Sequence, residues 1–207
     1  MKITVVGTGY VGLVAGTCFS NTGHQVSCVD VNPKIVDMLN RGDIPIYEPG
    51  LADMVKRNVE DENLVFTTDL AGAMEDTLLV FLCVGTPEGE GGRADLSYVL
   101  EAAKQIGQNM KDYTIVVSKS TCPVGTVERV RDIITRETDH EFDMASNPEF
   151  LKEGAAIEDF MKPDRVIIGT DSPRAEELLR TLYEPFNRSH DRVITMDIRS
   201  AELTKYA

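Results

Sequence analysis

The sequence predicts an open, doubly wound α/β sheet, mostly parallel, built as a single large domain. Short β-branched runs alternate with longer amphipathic stretches along the chain, the pattern of successive βαβ units. Several runs, TLLVFLC (Thr77–Cys83) among them, are apolar throughout and so belong to strands covered on both faces. Crossovers between parallel strands are almost always right-handed, which leaves a doubly wound sheet as the natural solution.

Taken in order, KITVV (Lys2–Val6) reads as the first strand and passes through a glycine-rich turn into a helix over Tyr10–Ser20. Strands follow at Gln25–Val29, Leu64–Thr67, Thr77–Cys83, Thr114–Ser118, Phe142–Ala145, Arg165–Gly169 and Val193–Met196. Helical patterns fill Pro33–Arg41, Gly50–Arg57, Leu96–Met110, Thr126–Glu137 and Pro173–Tyr183, and a last one opens at Ser200, whose hydroxyl is expected to cap it. The division expected is one domain over residues 1–198 and the start of a connecting helix over 199–207. That helix pattern runs to the last residue without Gly, Asn or Pro, so the expectation is a chain cut within a helix. Glu88–Arg93 (EGEGGR) reads as a flexible loop after the fourth strand, either bordering a ligand crevice or variable surface.

Composition narrows the class. With 42% hydrophobic and 27% charged residues the chain reads as a soluble globular protein. No apolar run approaches the ~18–20 residues that cross a bilayer. Met1 runs directly into a strand without a cleavable apolar segment, so the expectation is no membrane and a cytoplasmic location. A formal net charge of −13 argues against nucleic acid as a partner. Cys18, Cys28, Cys83 and Cys122 are widely spaced beside apolar segments, as reduced buried thiols would be. His24, His140 and His190 lie in polar connections without metal-ligand spacing, and no metal is expected.

Gly7-Thr-Gly-Tyr-Val-Gly12 is a weak signal alone and a stronger one between a strand and a helix. Gly7 permits the turn, Gly9 lets backbone approach a pyrophosphate, and Gly12 lets helix and strand pack closely. The pyrophosphate belongs on the helix N-terminus. Asp30 closes the second strand eighteen residues past Gly12. It either caps the next turn or accepts the ribose hydroxyls, the latter selecting NAD over NADP. With the glycines in place the binding role is expected, in a Rossmann-like fold.

Six further segments follow in order: IPIYEPGL (Ile44–Leu51), FLCVGTP (Phe81–Pro87), KSTCPVGT (Lys119–Thr126), SNPEFLKEGAAIEDF (Ser146–Phe160), PDRVIIG (Pro163–Gly169) and SAELTKYA (Ser200–Ala207). Together they resemble the NAD-binding part of the UDP-glucose/GDP-mannose dehydrogenase family, its UDP-glucose 6-dehydrogenase branch above all. The resemblance implies oxidation of UDP-glucose at C6, twice, by two NAD+, through a cysteine-bound intermediate. It places Gly7, Gly9, Tyr10, Val11, Gly12, Asp30, Lys34, Thr86, Thr121 and Glu153 at the cofactor. It makes Glu149 an acid, base or water-activating carboxylate, sets Phe150, Leu151, Lys152 and Glu153 along the sugar, and assigns Lys205 to the C6 oxygen and Thr121 to the reacting centre. From the residues alone, Thr86 and Thr121 serve equally as turn caps, Glu149 and Glu153 as a solvated pair, and Lys205 as a solvated terminus. In the family a long central helix builds a dimer, which the resemblance extends to the whole protein.

Four features depart from the family pattern. The nucleophilic cysteine segment does not occur in these 207 residues, and the asparagine partner of Lys205 would fall past Ala207, so this chain alone is expected not to turn over. Ile35 stands where many relatives have a basic residue, with Lys34 one place earlier. Cys122 replaces the usual valine and is read as an apolar spectator. Other readings are the same chemistry on GDP-mannose or UDP-N-acetylmannosamine, and an NAD-binding sensor.

Overall fold

The computed structural model describes residues 1–187 and 192–206; His190 and Ala207 lie outside them. Among the described residues eight strands form one sheet: β1 (Lys2–Val6), β2 (Gln25–Val29), β3 (Leu64–Thr67), β4 (Leu79–Leu82), β5 (Thr114–Ser118), β6 (Phe142–Ser146), β7 (Val166–Thr170) and β8 (Val193–Met196). Their order is β3-β2-β1-β4-β5-β6-β7-β8. All neighbours are parallel except β6 and β7, which run antiparallel. The chain reverses its direction of travel across the sheet between β1 and β4. The carboxyl ends of strands at such a switch point open a crevice.

The helices are α1 (Tyr10–Asn21), α2 (Pro33–Asn40), α3 (Leu51–Glu60), α4 (Leu70–Ala73), α5 (Ser97–Asn109), α6 (Thr126–Glu137), α7 (Ala156–Met161), α8 (Pro173–Tyr183) and α9 (Ile198–Thr204). The period-two alternation of the strands divides the core into two layers. Ile3, Val5, Leu79, Phe81, Ile115 and Val117 face one layer with α1, α2, α3, α7 and α8. Val6, Val80, Leu82 and Val116 face the other with α4, α5, α6 and α9.

Several expectations need correction. β4 spans Leu79–Leu82 and is shorter than Thr77–Cys83; at its start the Thr77 backbone N–H is taken by Met74 O at 3.2 Å, in the turn after α4. α4 and α7, short helices of four and six residues, were not expected. The last helix starts at Ile198, and Asp197 caps it through Ser200 N at 2.9 Å; Ser200 lies inside the helix. The loop Glu88–Arg93 carries a bridge between Glu88 and Ala94 and a 3₁₀ turn over Glu90–Gly92. All four cysteines are free and buried, as expected. Among the described residues no helix is long and apolar enough to cross a membrane.

Candidate active site

The turn between β1 and α1 is fixed by sterics. Gly7 has φ +99°, and an added Cβ there would stand 2.7 Å from Cys83 O. A Cβ on Gly12 would stand 1.9 Å from Gly7 O, so α1 can follow β1 this closely only with glycine at that place. Gly9 differs: a Cβ on it would meet no protein atom within 4 Å. Nothing inside the protein demands glycine there, which fits a residue kept small for a ligand's approach. Gly9 precedes α1 without capping it through a side chain, and the first turn of α1 carries no acid. Its free N–H groups and positive end therefore fit a diphosphate.

Asp30 ends the neighbouring strand and is tied to this turn. Its Oδ2 accepts from Thr8 N at 3.0 Å and Thr8 Oγ1 at 2.5 Å, and its Oδ1 accepts from Asn32 N at 2.9 Å. The capping and ribose readings are thus compatible, since a carboxylate has lone pairs for both. Lys34 is exposed in the first turn of α2. Val11 is half-buried beside the turn. Across the crevice, Thr86 Oγ1 donates to Thr121 O at 2.7 Å, joining the ends of β4 and β5.

Tyr10 links the glycine turn to the loop after β6. Its hydroxyl donates to Glu48 Oε2 at 2.8 Å and lies 3.2 Å from Lys152 O. Burial, with Glu48 next, pushes the phenol far above its ordinary range. Glu48 also accepts from Gly154 N at 2.8 Å and Ala156 N at 2.9 Å. The carboxylate in the segment IPIYEPGL therefore caps α7 and sets the shape of the 147–155 loop. Glu153, exposed, adds to the negative field at Tyr10.

That loop is not helical: Pro148 and Gly154, the latter at φ +87°, break it. Glu149 and Glu153 consequently share no helical face. Glu149 turns inward, its side chain 10% exposed, and meets Lys205 from α9: Nζ lies 2.6 Å from Oε1 and donates to Glu149 O at 2.7 Å. The other oxygen accepts from Leu151 N at 2.6 Å. Two residues 56 apart in sequence thus form one ion pair at the carboxyl end of β6. The Phe150 ring centroid lies 4.4 Å from the Arg165 guanidinium carbon and 5.8 Å from Lys205 Nζ. Lys152 pairs with Asp159 at 3.8 Å. Glu149, Phe150, Leu151 and Lys152 line a cavity of about 200 Å³.

The cavity also holds residues to which the sequence reading gave no role. Lys119 is buried at the end of β5, and its Nζ donates to Asn147 Oδ1 at 3.0 Å. Asn147 in turn accepts from Tyr183 Oη at 2.6 Å and donates to Ile167 O at 2.8 Å. A lysine two places after the β-branched run TIVV (Thr114–Val117) was the available signal. Glu202, on α9, accepts from Gly125 N at 2.7 Å and Val127 N at 2.8 Å, so it caps α6 from another element. Cys122 is buried beside it, and burial pushes its thiol up to about 12, the setting of an inert thiol. Among the described residues no three His, Cys, Asp or Glu side chains cluster as metal ligands.

Residues 1–187 match the family model described as the NAD-binding domain of the UDP-glucose/GDP-mannose dehydrogenase family. The chain belongs to that family. It is 50% identical over 212 residues to a UDP-glucose 6-dehydrogenase of Pseudomonas aeruginosa, covering 100% of this chain and 47% of that protein. It is 47% identical to the UDP-glucose 6-dehydrogenase TuaD of Bacillus subtilis, covering 44% of that one. Its fold is similar to a UDP-glucose dehydrogenase structure from Pyrobaculum islandicum, with TM-score 0.92, 41% identity, and 99% of this chain and 48% of the other covered. It is also similar to a GDP-mannose dehydrogenase from Pseudomonas aeruginosa, with TM-score 0.94, 35% identity, and 100% and 48% covered. The chain thus spans about half the length of these relatives. This domain binds NAD, and the uncapped α1 and the open side of Gly9 are the features that fit it.

Proposed function

We propose that the protein carrying this domain oxidises UDP-glucose at C6 to UDP-glucuronate in two steps, consuming two NAD+. The observation that carries this reading is the Glu149–Lys205 pair, set at the carboxyl end of β6 near the crevice that the glycine turn opens. NAD, when bound, supplies the hydride acceptor. The α1 N-terminus and Gly9 hold its diphosphate, Asp30 its adenosine ribose, and Val11, Lys34, Thr86, Thr121 and Glu153 line its path.

Lys205 faces the developing negative charge on the C6 oxygen, where a fixed cation lowers the barrier. Glu149 passes protons to and from that oxygen or orients the attacking water. Phe150, Leu151, Lys152 and Glu153 form the wall against the sugar. The reaction also needs a nucleophilic thiol. The four cysteines of this chain are buried, so the thiol belongs to residues outside these 207, and the chain alone should not turn over.

The test is NADH absorbance after adding UDP-glucose to the whole protein. Turnover is expected with UDP-glucose and falls ~10²–10³-fold in Lys205→Ala, as when one stabilising donor is removed. Faster turnover of GDP-mannose or UDP-N-acetylmannosamine would overturn the substrate; steady turnover by the 207-residue chain would overturn the need for an external thiol.

A further inference from the structure

Among the described residues Lys119 is a buried ammonium without an ion-pair partner. It is 4% exposed, and among the described residues its hydrogen-bond acceptor is the neutral Asn147 amide, already shared with Tyr183. The Phe160 ring centroid stands 5.6 Å from Nζ. An ammonium carries three donors and loses its hydration on burial, so one neutral acceptor leaves it poorly compensated. Lys119 and Glu149 line the same 200 Å³ cavity, and Lys119 and Lys205 line a smaller one that shares Lys119 and Pro148 with the first. The larger is roomy enough for several waters with polar groups around them.

We propose that Lys119 is the proton store of the oxidation site: its neutral amine takes up, through water in this cavity, the proton that leaves the sugar hydroxyl. The inference rests on the proposed function. In each oxidation the carbinol carbon gives up a hydride, which the bound dinucleotide accepts, and the hydroxyl gives up a proton as its oxygen becomes doubly bonded. Glu149 relays the proton from the hydroxyl while its oxygens stay bonded to Lys205 Nζ and Leu151 N, so the proton travels on. A water takes it and loses another to Nζ; one N–H bond forms, one O–H bond breaks, and the ammonium later returns the proton to solvent.

The surroundings favour this exchange. Burial lowers the Lys119 ammonium to about 8; Cys83 and Glu149 oppose that shift and Lys205 reinforces it. The group is thereby matched to proton transfer near neutral pH. Cys83, from the end of β4, is pushed up to about 12 by burial, and Tyr183, from α8, higher still, so both keep their protons through this range. Lys152, Asp159, Asp164 and Arg165 also line the larger cavity, and Cys122 and Glu202 line the smaller one with Lys119.

The experiment is the pH profile of kcat for the whole protein. Wild type is expected to rise through a limb with its midpoint near pH 8, where Lys119 becomes neutral. Lys119→Met should lower kcat above that limb by ~10²-fold and abolish the limb. KM for both substrates should stay within about twofold, because binding is untouched. Lys119→Arg, charged at every pH, should behave as Lys119→Met does. A limb that persists unchanged in both variants overturns the inference alone; a wild-type protein that oxidises no nucleotide sugar overturns the proposed function, and this inference with it. Should a variant fail to fold, the Lys119 signal in ¹³Cε-lysine NMR of the wild type still decides: a midpoint near 8 supports the store, and one at the ordinary lysine value of about 10.4 removes it.

Discussion

Asp30 divides its two oxygens between neighbours: one holds Thr8 through backbone and hydroxyl, and the other holds the N–H of Asn32. It therefore arranges the glycine turn while keeping lone pairs for a further donor. Asp30→Ala is expected to weaken NAD+ binding about tenfold to hundredfold, the worth of one charged hydrogen bond. Calorimetric titration measures it, and equal wild-type affinity for NAD+ and NADP+ would refute the assignment. Cys122 predicts the opposite kind of outcome. It is buried, and burial keeps its thiol protonated. Cys122→Val should change the unfolding free energy by less than ~1.5 kcal/mol and leave NAD+ affinity unchanged; abolished turnover in the whole protein would make the thiol catalytic after all.

Helix N-termini explain both what the sequence showed of the elements and what it hid. Asn32 and Ser172 each accept from the first turn of the helix they precede, and both of those helices were expected, whereas Asp69 opens a helix of four residues, too short to show a period. Distant caps are not legible. α7 is six residues long and held by Glu48, 108 positions away, so no window of sequence around Ala156 announces it. α6 is capped by Glu202 in the same way. Glu48→Ala should cost about 3 kcal/mol in urea unfolding, since charge-assisted bonds are lost and buried N–H groups left unpaired. A cost under about 0.5 kcal/mol, typical of an exposed site, would show that the loop finds other partners. At the start of β2, His24 couples stability to pH. Partial burial, then the Met1 ammonium, holds its imidazole below the ordinary 6.5. The folded state thus resists a proton that the unfolded chain accepts. This contribution is present above pH 6.5 and is lost as pH falls through the lowered folded value. His24→Gln should flatten the loss of stability on acidification from pH 7 to about pH 5; an unchanged slope would place the titration elsewhere.

At the scale of the molecule, buried parallel strands announce themselves by composition, and the glycine turn by its position, so the sheet and that turn were legible. The meeting of Glu149 with Lys205, the antiparallel join of β6 to β7, and the burial of Lys119 arise from packing between distant segments and leave no local trace. One feature of that packing predicts how the chain unfolds. Phe19, on the helix that opens at the glycine turn, is fully buried, with ring centroids of Phe81, Phe160, Tyr183 and Phe186 at 5.0, 5.2, 5.7 and 6.2 Å. These rings come from α1, β4, α7, α8 and the turn after α8, so the two halves of the sheet share one aromatic core and neither can open without exposing it. The chain is therefore expected to unfold in one transition, although two-state behaviour is commonest below about 150 residues. Phe19→Ala should cost about 3–5 kcal/mol, the range for a deleted core ring, and should keep a single transition. The chain has no tryptophan, which leaves the near-ultraviolet signal to tyrosine, with Tyr183 inside the cluster. Following that signal and far-ultraviolet circular dichroism in the same urea titration tests the coupling. Coincident midpoints support a shared core, whereas a tyrosine transition that precedes the loss of secondary structure would show that the aromatic packing opens before the sheet does.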